Sequence, residues 1–545
     1  MVSINKKSCL LLIFLLFFEV VSAQNRKYIV YFKDKNNSPY SISTPSLYLS
    51  DKAIERRTRQ KIAIVTNDLP VAPDYIDSLL VKGAEVQYSL KWLNAAVVIA
   101  DSLQMVDINT LTFVKSYDRV ARKMTTKEIS NICTITKQIN KKSALDYGGS
   151  FDQIHMLQAD NMHAEGFHGE GVLIALLDAG FKNASSLGCL SHVYSNNRVV
   201  ATYDFVDNEL DVYDDHEHGE EVLTTIAAFQ SGTLIGTAYN ASFVLLRTED
   251  DFSETEVEET NWARGAEYAD SIGADILSSS LGYTTFDAPG SSHTYMDMNG
   301  NTTIAAQAAD LAASKGILVI CSAGNDGNNS WRYIDTPADG DSVLAIGAVD
   351  ANMNRATFSS VGPSADGRIK PDLAAMGQNV LVGTPLGGFT NSSGTSFSCP
   401  LTAGFVAGIW QAFPTLTNMQ LTDALRKSAS QYSSPDNFLG YGIPGFTKAK
   451  EFILDSIFNI GIDFRIFPNP IKSGYLFFTS GAEYFNKPVT IKMYDMLGRQ
   501  VAEDQLLVAG VKTETNIFAD AFKDGVYILR FYFPDKTVKI RLVKY

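Results

Sequence analysis

Val172-Leu173-Ile174-Ala175-Leu176-Leu177-Asp178-Ala179-Gly180 joins an unbroken apolar run to an acid and two small residues. A run so short, with no polar face at either period, suits a strand covered on both sides, and Asp178 marks where it leaves the sheet. The same pattern returns at 242–246 and 317–320, bounded by turn residues. Helical spacing occupies 220–229, 260–272 and 302–315. Such alternation predicts an α/β domain with a doubly wound, mostly parallel sheet over residues 146–450.

The flanks read differently. Residues 24–145 hold a strand candidate at 28–32, a helix at 74–82 stopped by Gly83, a strand at 92–99 and a polar linker at 123–142. This predicts a small α+β domain. Past Phe452 no helix is expected. Phe467-Pro468-Asn469-Pro470 makes a turn, and β-type segments follow at 475–478, 489–494 and 526–531, which predicts a β-sandwich over 460–545. At the other end Lys6 and Lys7, the apolar run 9–18 and Val21-Ser22-Ala23 form a secretory signal pattern over 1–23. The run is shorter than the ~20 residues of a spanning helix, and no later segment is long and apolar enough to span.

Lys plus Arg number 46 against 60 Asp plus Glu, a formal charge of −14. That balance argues against nucleic acid or an anionic membrane as the main partner. Cys133, Cys189, Cys321 and Cys399 follow the signal segment in no metal-ligand spacing. They are open to pairing or to burial as free thiols.

Three segments carry chemistry. Asp178 ends a strand. Asp214-Asp215-His216-Glu217-His218-Gly219 leads into a helix, with His218 at its start. Gly394-Thr395-Ser396-Phe397-Ser398-Cys399-Pro400 opens another, with Pro400 placed in the first turn, where amides lack partners. A serine hydroxyl needs a base, and the base needs an anion to orient it; the segments supply one of each. Ser322-Ala323-Gly324-Asn325 adds an amide suited to an oxyanion.

Together these segments resemble the subtilisin-like serine peptidases. The order Asp, His, Ser matches that family, as do Gly394-Thr395-Ser396-x-x-x-Pro400, His218-Gly219-x-x-Val222, Asp178-x-Gly180 and Ala323-Gly324-Asn325. The likeness covers roughly 300 residues, a domain's worth. It implies a catalytic triad of Asp178, His218 and Ser396, an oxyanion donor at Asn325, and substrate-backbone pairing along Ser280-Leu281-Gly282 and Gly324. The sequence departs from the family at Ala179, where Ser or Thr is usual, and at Glu220-Glu221, where Thr-His is usual. Carboxylates so close to His218 are expected to raise its pKa.

His216, His218, Asp214 and Asp215 also admit a zinc reading, but histidines two apart do not share a helix face. No required cofactor and no catalytic metal are expected. Asp204, Asp207, Asp211 and Asp214 leave structural calcium open against a solvated acidic loop. Residues 24–145 resemble the propeptides of the family. The C-terminal segment is similar to the sorting domains of type IX secretion substrates in Bacteroidetes, through Phe467-Pro468-Asn469-Pro470, Tyr494-Asp495-x-x-Gly498-Arg499, Gly525-Val526-Tyr527 and the basic-apolar stretch 539–544. The implied partners are protein or peptide substrates, the chain's own propeptide and the type IX machinery, with the protein secreted or at the cell surface. The competing class is a catalytically silent binding module on the same scaffold. An esterase is disfavoured, because Ser396 lies in Gly-x-Ser-x-Ser and the triad order is wrong for α/β-hydrolases.

Overall fold

The computed structural model describes residues 25–120, 145–288, 290–459, 466–467, 469–471, 476–480, 484, 486–508, 512–515, 517 and 522–544. The signal segment, the linker at 123–142 and Cys133 lie outside them. The chain divides into two compact units, Met1–Phe446 and Thr447–Tyr545.

In the first unit the seven strands of the central sheet run in the order Leu373–Met376, Val343–Val349, Leu318–Ser322, Ile276–Ser279, Leu173–Asp178, Ser242–Arg247, Val199–Asp204. Every pairing is parallel. The strand order reverses between Leu173–Asp178 and Ile276–Ser279, so the loops leaving these two strands diverge and open a crevice at their carboxyl ends. Alternate side chains divide the faces. Leu173, Ala175, Leu177, Leu277 and Val319 pack under the helices Val257–Ile272 and Ile304–Ser314. The opposite face carries the helix Thr395–Ala412, whose residues from Thr395 to Trp410 are all buried. Apolar on every side, that helix is stable only inside the protein.

The N-terminal part forms an antiparallel sheet in the order Glu85–Leu90, Ala95–Ala100, Arg26–Phe32, Val114–Val120. Its strands serve two cores. Tyr28, Val30, Phe32, Ala96 and Val98 face its own helices, and Ile29, Leu90, Ala95 and Val97 face the helices of the larger domain. The expected strand at 92–99 begins only at Ala95, because Asn94 adopts a left-handed conformation and its amide donates to Phe32 O and Asp34 O. Beside it, the helix Asp51–Gln60 sends Arg56 and Arg57 into the interface, where both reach Asp270, at 2.5 and 2.8 Å. Lys91 joins them at 3.1 Å.

The second unit holds a three-stranded and a four-stranded antiparallel sheet around one core that includes Ile466, Phe478, Ile491 and Phe531. This is the sandwich expected from sequence, with four further strands, Ile466–Phe467, Gln500–Leu507, Lys512–Thr515 and Thr537–Lys544. One expectation fails: the helix Phe446–Asn459 continues past Phe452.

Candidate active site

Asp178 is the last residue of its strand and is buried; its carbonyl accepts Thr248 N at 3.0 Å. Its Oδ1 accepts Ala179 N at 2.9 Å and faces His218 Nδ1 at 2.7 Å. His218 opens the helix His218–Ala227. Two glycines let these segments touch. A Cβ on Gly219 would meet Gly180 O at 2.4 Å, and one on Gly180, whose φ is +147°, would meet His216 N at 2.6 Å. Gly219, next to His218, and Gly180, two residues past Asp178, are thus packing requirements of the Asp–His contact.

Ser396 is the second residue of the helix Thr395–Ala412 and is 8% exposed. The helix begins at Thr395, so Pro400 lies beyond the first turn, contrary to the sequence expectation. A proline there removes the donor that would bond the carbonyl of Ser396, four residues earlier. Ser280 replaces it: its Oγ donates to Ser396 O at 2.8 Å, while Ser396 Oγ donates to Ser280 O at 3.3 Å. No hydrogen bond joins Ser396 to His218 among the described residues, and apo sites commonly tighten this contact only with substrate.

Asn325 follows the strand Leu318–Ser322. Its Oδ1 accepts both Thr395 N at 2.8 Å and Thr395 Oγ1 at 3.1 Å, and Thr395 Oγ1 in turn accepts Gly324 N at 3.2 Å. With the oxygen so occupied, Nδ2 is the free end of the amide, a pure donor. Sequence reading included Thr395 in the serine motif but gave it no role, because the contact to Asn325 spans 70 residues of chain and exists only in the fold. Gly324 has φ +105°, and a Cβ there would fall 2.1 Å from Asp335 Oδ2. Leu281 and Gly282 follow Ser280, and Tyr283 N then bonds Thr336 O at 2.9 Å. All eight residues singled out in sequence therefore lie at the carboxyl ends of adjacent central strands or at the start of the two helices facing them.

The subtilase family profile matches residues 169–442. This chain belongs to the subtilase family. Subtilisin DY of Bacillus licheniformis is 32% identical over 279 residues, which cover 51% of this chain and 90% of the relative. Subtilisin NAT of Bacillus subtilis subsp. natto is 29% identical over 374 residues, 67% and 83% of the two chains. Subtilisin Savinase of Lederbergia lenta is 31% identical over 291 residues, 53% and 94%. The Peptidase S8 propeptide domain of Bacteroidota matches 27–136, and the secretion system C-terminal sorting domain matches 465–544. The protein is a secreted or surface-exported subtilisin-like serine endopeptidase made with its own propeptide.

In this subtilase, burial pulls the imidazole of His218 down. Asp178, through charge and hydrogen bond, outweighs it with help from Glu221 and Glu249 and lifts the pKa to about 9. The ring still keeps 27% of its side-chain surface open. The two acids after His218 do not act alike. Glu220 is itself lifted to about 8 by burial and by the charges of Glu221 and Glu217, and it is not among the groups that chiefly raise His218. Glu221 carries the effect, with Ser392 Oγ donating to its carboxylate at 3.1 Å.

The zinc reading finds no support in the geometry. His216 Nδ1 accepts His218 N at 3.1 Å, and His218 is held by Asp178. Among the described residues, only Asp204, Asp207 and Asp215 gather carboxylate oxygens closely enough for an ion. Arg247 spans all three, at 2.7, 2.7 and 3.1 Å. The Arg247 guanidinium is thus a counter-charge already present at this cluster, and Asp211 instead caps Tyr213 N at 2.9 Å.

Proposed function

We propose that Asp178, His218 and Ser396 are the triad of this endopeptidase and that Asn325 with the Ser396 amide holds the oxyanion. The 2.7 Å Asp178–His218 contact carries the reading: it fixes Nδ1 as the protonated nitrogen and turns Nε2 toward the cleft as base. Rotation about its Cα–Cβ bond brings Ser396 Oγ from Ser280 O to His218. As Oγ attacks the peptide carbonyl, its proton passes to Nε2, and Asp178 stabilises the imidazolium without accepting the proton. The negative oxygen meets Asn325 Nδ2 and the Ser396 N–H, a first-turn amide with no helical partner. His218 then protonates the leaving amine. Water repeats the sequence on the acyl-enzyme, releasing the acid and restoring Ser396.

Ser280, Leu281, Gly282 and Gly324 would hold the substrate backbone on the acyl side of the bond. We assign no metal to catalysis and none to the Arg247 cluster. The division we adopt is a leader at 1–23, a propeptide with linker at 24–145, the catalytic domain at 146–450 and the sorting domain at 460–545, the last directing export by the type IX machinery. Hydrolysis of casein by the processed wild type, lost in His218→Ala, is the expected outcome. Undiminished hydrolysis in that variant would overturn the assignment.

A further inference from the structure

Asp335 lies at the meeting of the two segments that flank Ser396. Its N–H donates to Ala323 O at 3.2 Å, and the next residue, Thr336, accepts Tyr283 N at 2.9 Å. Its side chain fills the space left by two glycines. A Cβ on Gly282 would meet Asp335 Cβ at 2.8 Å, and one on Gly324 would meet the carboxylate itself at 2.1 Å. One wall, Ser280–Gly282, touches Ser396 Oγ through Ser280 O, and the other, Gly324–Asn325, is tied to Thr395. A substrate side chain entering between these walls from the acyl side of the bond would approach Asp335.

Asp335 is only 7% exposed, and its Oδ1 has no hydrogen-bond partner. The Trp331 indole and the Asp326 carboxyl also act on it, the indole lowering its pKa and Asp326 raising it. The charged groups acting on it, Asp326 and Asp339, are both acidic, and burial followed by Asp326 holds its pKa well above the ordinary carboxylate range. A buried carboxyl oxygen without a partner, as Oδ1 is, is costly, and an apolar guest would leave it so. An ammonium or guanidinium supplies both the donors and the opposing charge.

We propose that Asp335 is the specificity-determining residue of this peptidase and selects a lysine or arginine immediately before the scissile bond. The proposal rests on the triad assignment above. It is tested with peptides differing only at that residue, Lys or Arg against norleucine, read as the ratio of kcat/KM. Wild-type enzyme is expected to favour the basic peptides by about tenfold or more, and Asp335→Asn to bring the ratio near one. Benzamidine, an arginine-like cation, is expected to inhibit wild-type hydrolysis competitively, a readout that stands even if the variant does not mature. A wild-type ratio at or below one, or a ratio unchanged in Asp335→Asn, would overturn the proposal while leaving the triad intact. Failure of processed wild type to cleave any of the peptides would defeat both.

Discussion

Ser280 and Ser396 bond each other reciprocally, Ser280 Oγ to Ser396 O at 2.8 Å and Ser396 Oγ to Ser280 O at 3.3 Å. The first bond compensates a defect. Pro400 cannot donate to the carbonyl of Ser396, and Ser280, at the start of the substrate edge, donates instead. A motif proline in the serine helix and a serine on the neighbouring strand are thereby one structural unit. Ser280→Ala leaves a buried carbonyl unpaired and is expected to cost about 1–3 kcal/mol. The urea midpoint compared in a Ser396→Ala background, where self-digestion does not interfere, measures it; an unchanged midpoint would contradict the compensation.

Asn325 is oriented by two donors from Thr395, which leaves Nδ2 for the oxyanion. Asn325→Ala is expected to lower kcat about 10²–10³-fold with little change in KM, a magnitude established on a subtilisin and carried over to this relative. A loss expressed mainly in KM would assign Asn325 to ground-state binding instead.

The raised pKa of His218 sets the pH behaviour. Attack needs the neutral imidazole, so the acidic limb of kcat/KM is expected near pH 9, and Glu221→Gln is expected to move it lower. The same shift has a stability consequence of opposite direction. The folded pKa lies above the unfolded value near 6.5, so the stabilisation from His218 is complete below pH 6.5 and is lost as pH rises through about 9. A limb near pH 6.5 in wild type would contradict the field assigned to Asp178, Glu221 and Glu249.

At the propeptide interface Asp270 balances Arg56, Arg57 and Lys91 in a buried cluster. Burial opposes its ionisation, but these three cations outweigh it and hold its carboxyl below the usual carboxylate range. The contribution is present above the unfolded pKa near 3.8 and is lost only as pH falls through the lower folded value. Asp270→Asn leaves the buried Arg56 without its carboxylate partner and Arg57 with Asp68 alone, and is expected to weaken propeptide docking by about 3–5 kcal/mol. The readout is yield of processed enzyme, and wild-type yield would refute the coupling.

Much of this was legible in sequence, for physical reasons that also mark the limits. The strands ending at Asp178 and Ser322 are unbroken apolar runs because both faces are covered. The Asp, His and Ser segments stood out because close packing forces glycine beside the first two. The helix Asp51–Gln60 was missed because its buried residues, apart from Ala53, are Arg56, Arg57 and Gln60, whose burial depends on residues more than 200 positions away. The strands Gln500–Leu507 and Thr537–Lys544 expose one face, so their alternation with charged residues hid them. Asp335 gave no signal, since only the fold brings Gly282 and Gly324 around it.

The most direct test of the central claim is labelling of the processed, secreted protein with a fluorophosphonate and mapping of the adduct by mass spectrometry. The account predicts one adduct per molecule, on Ser396, abolished by Ser396→Ala together with casein hydrolysis. An unlabelled wild-type protein, or an adduct on another serine, would contradict it.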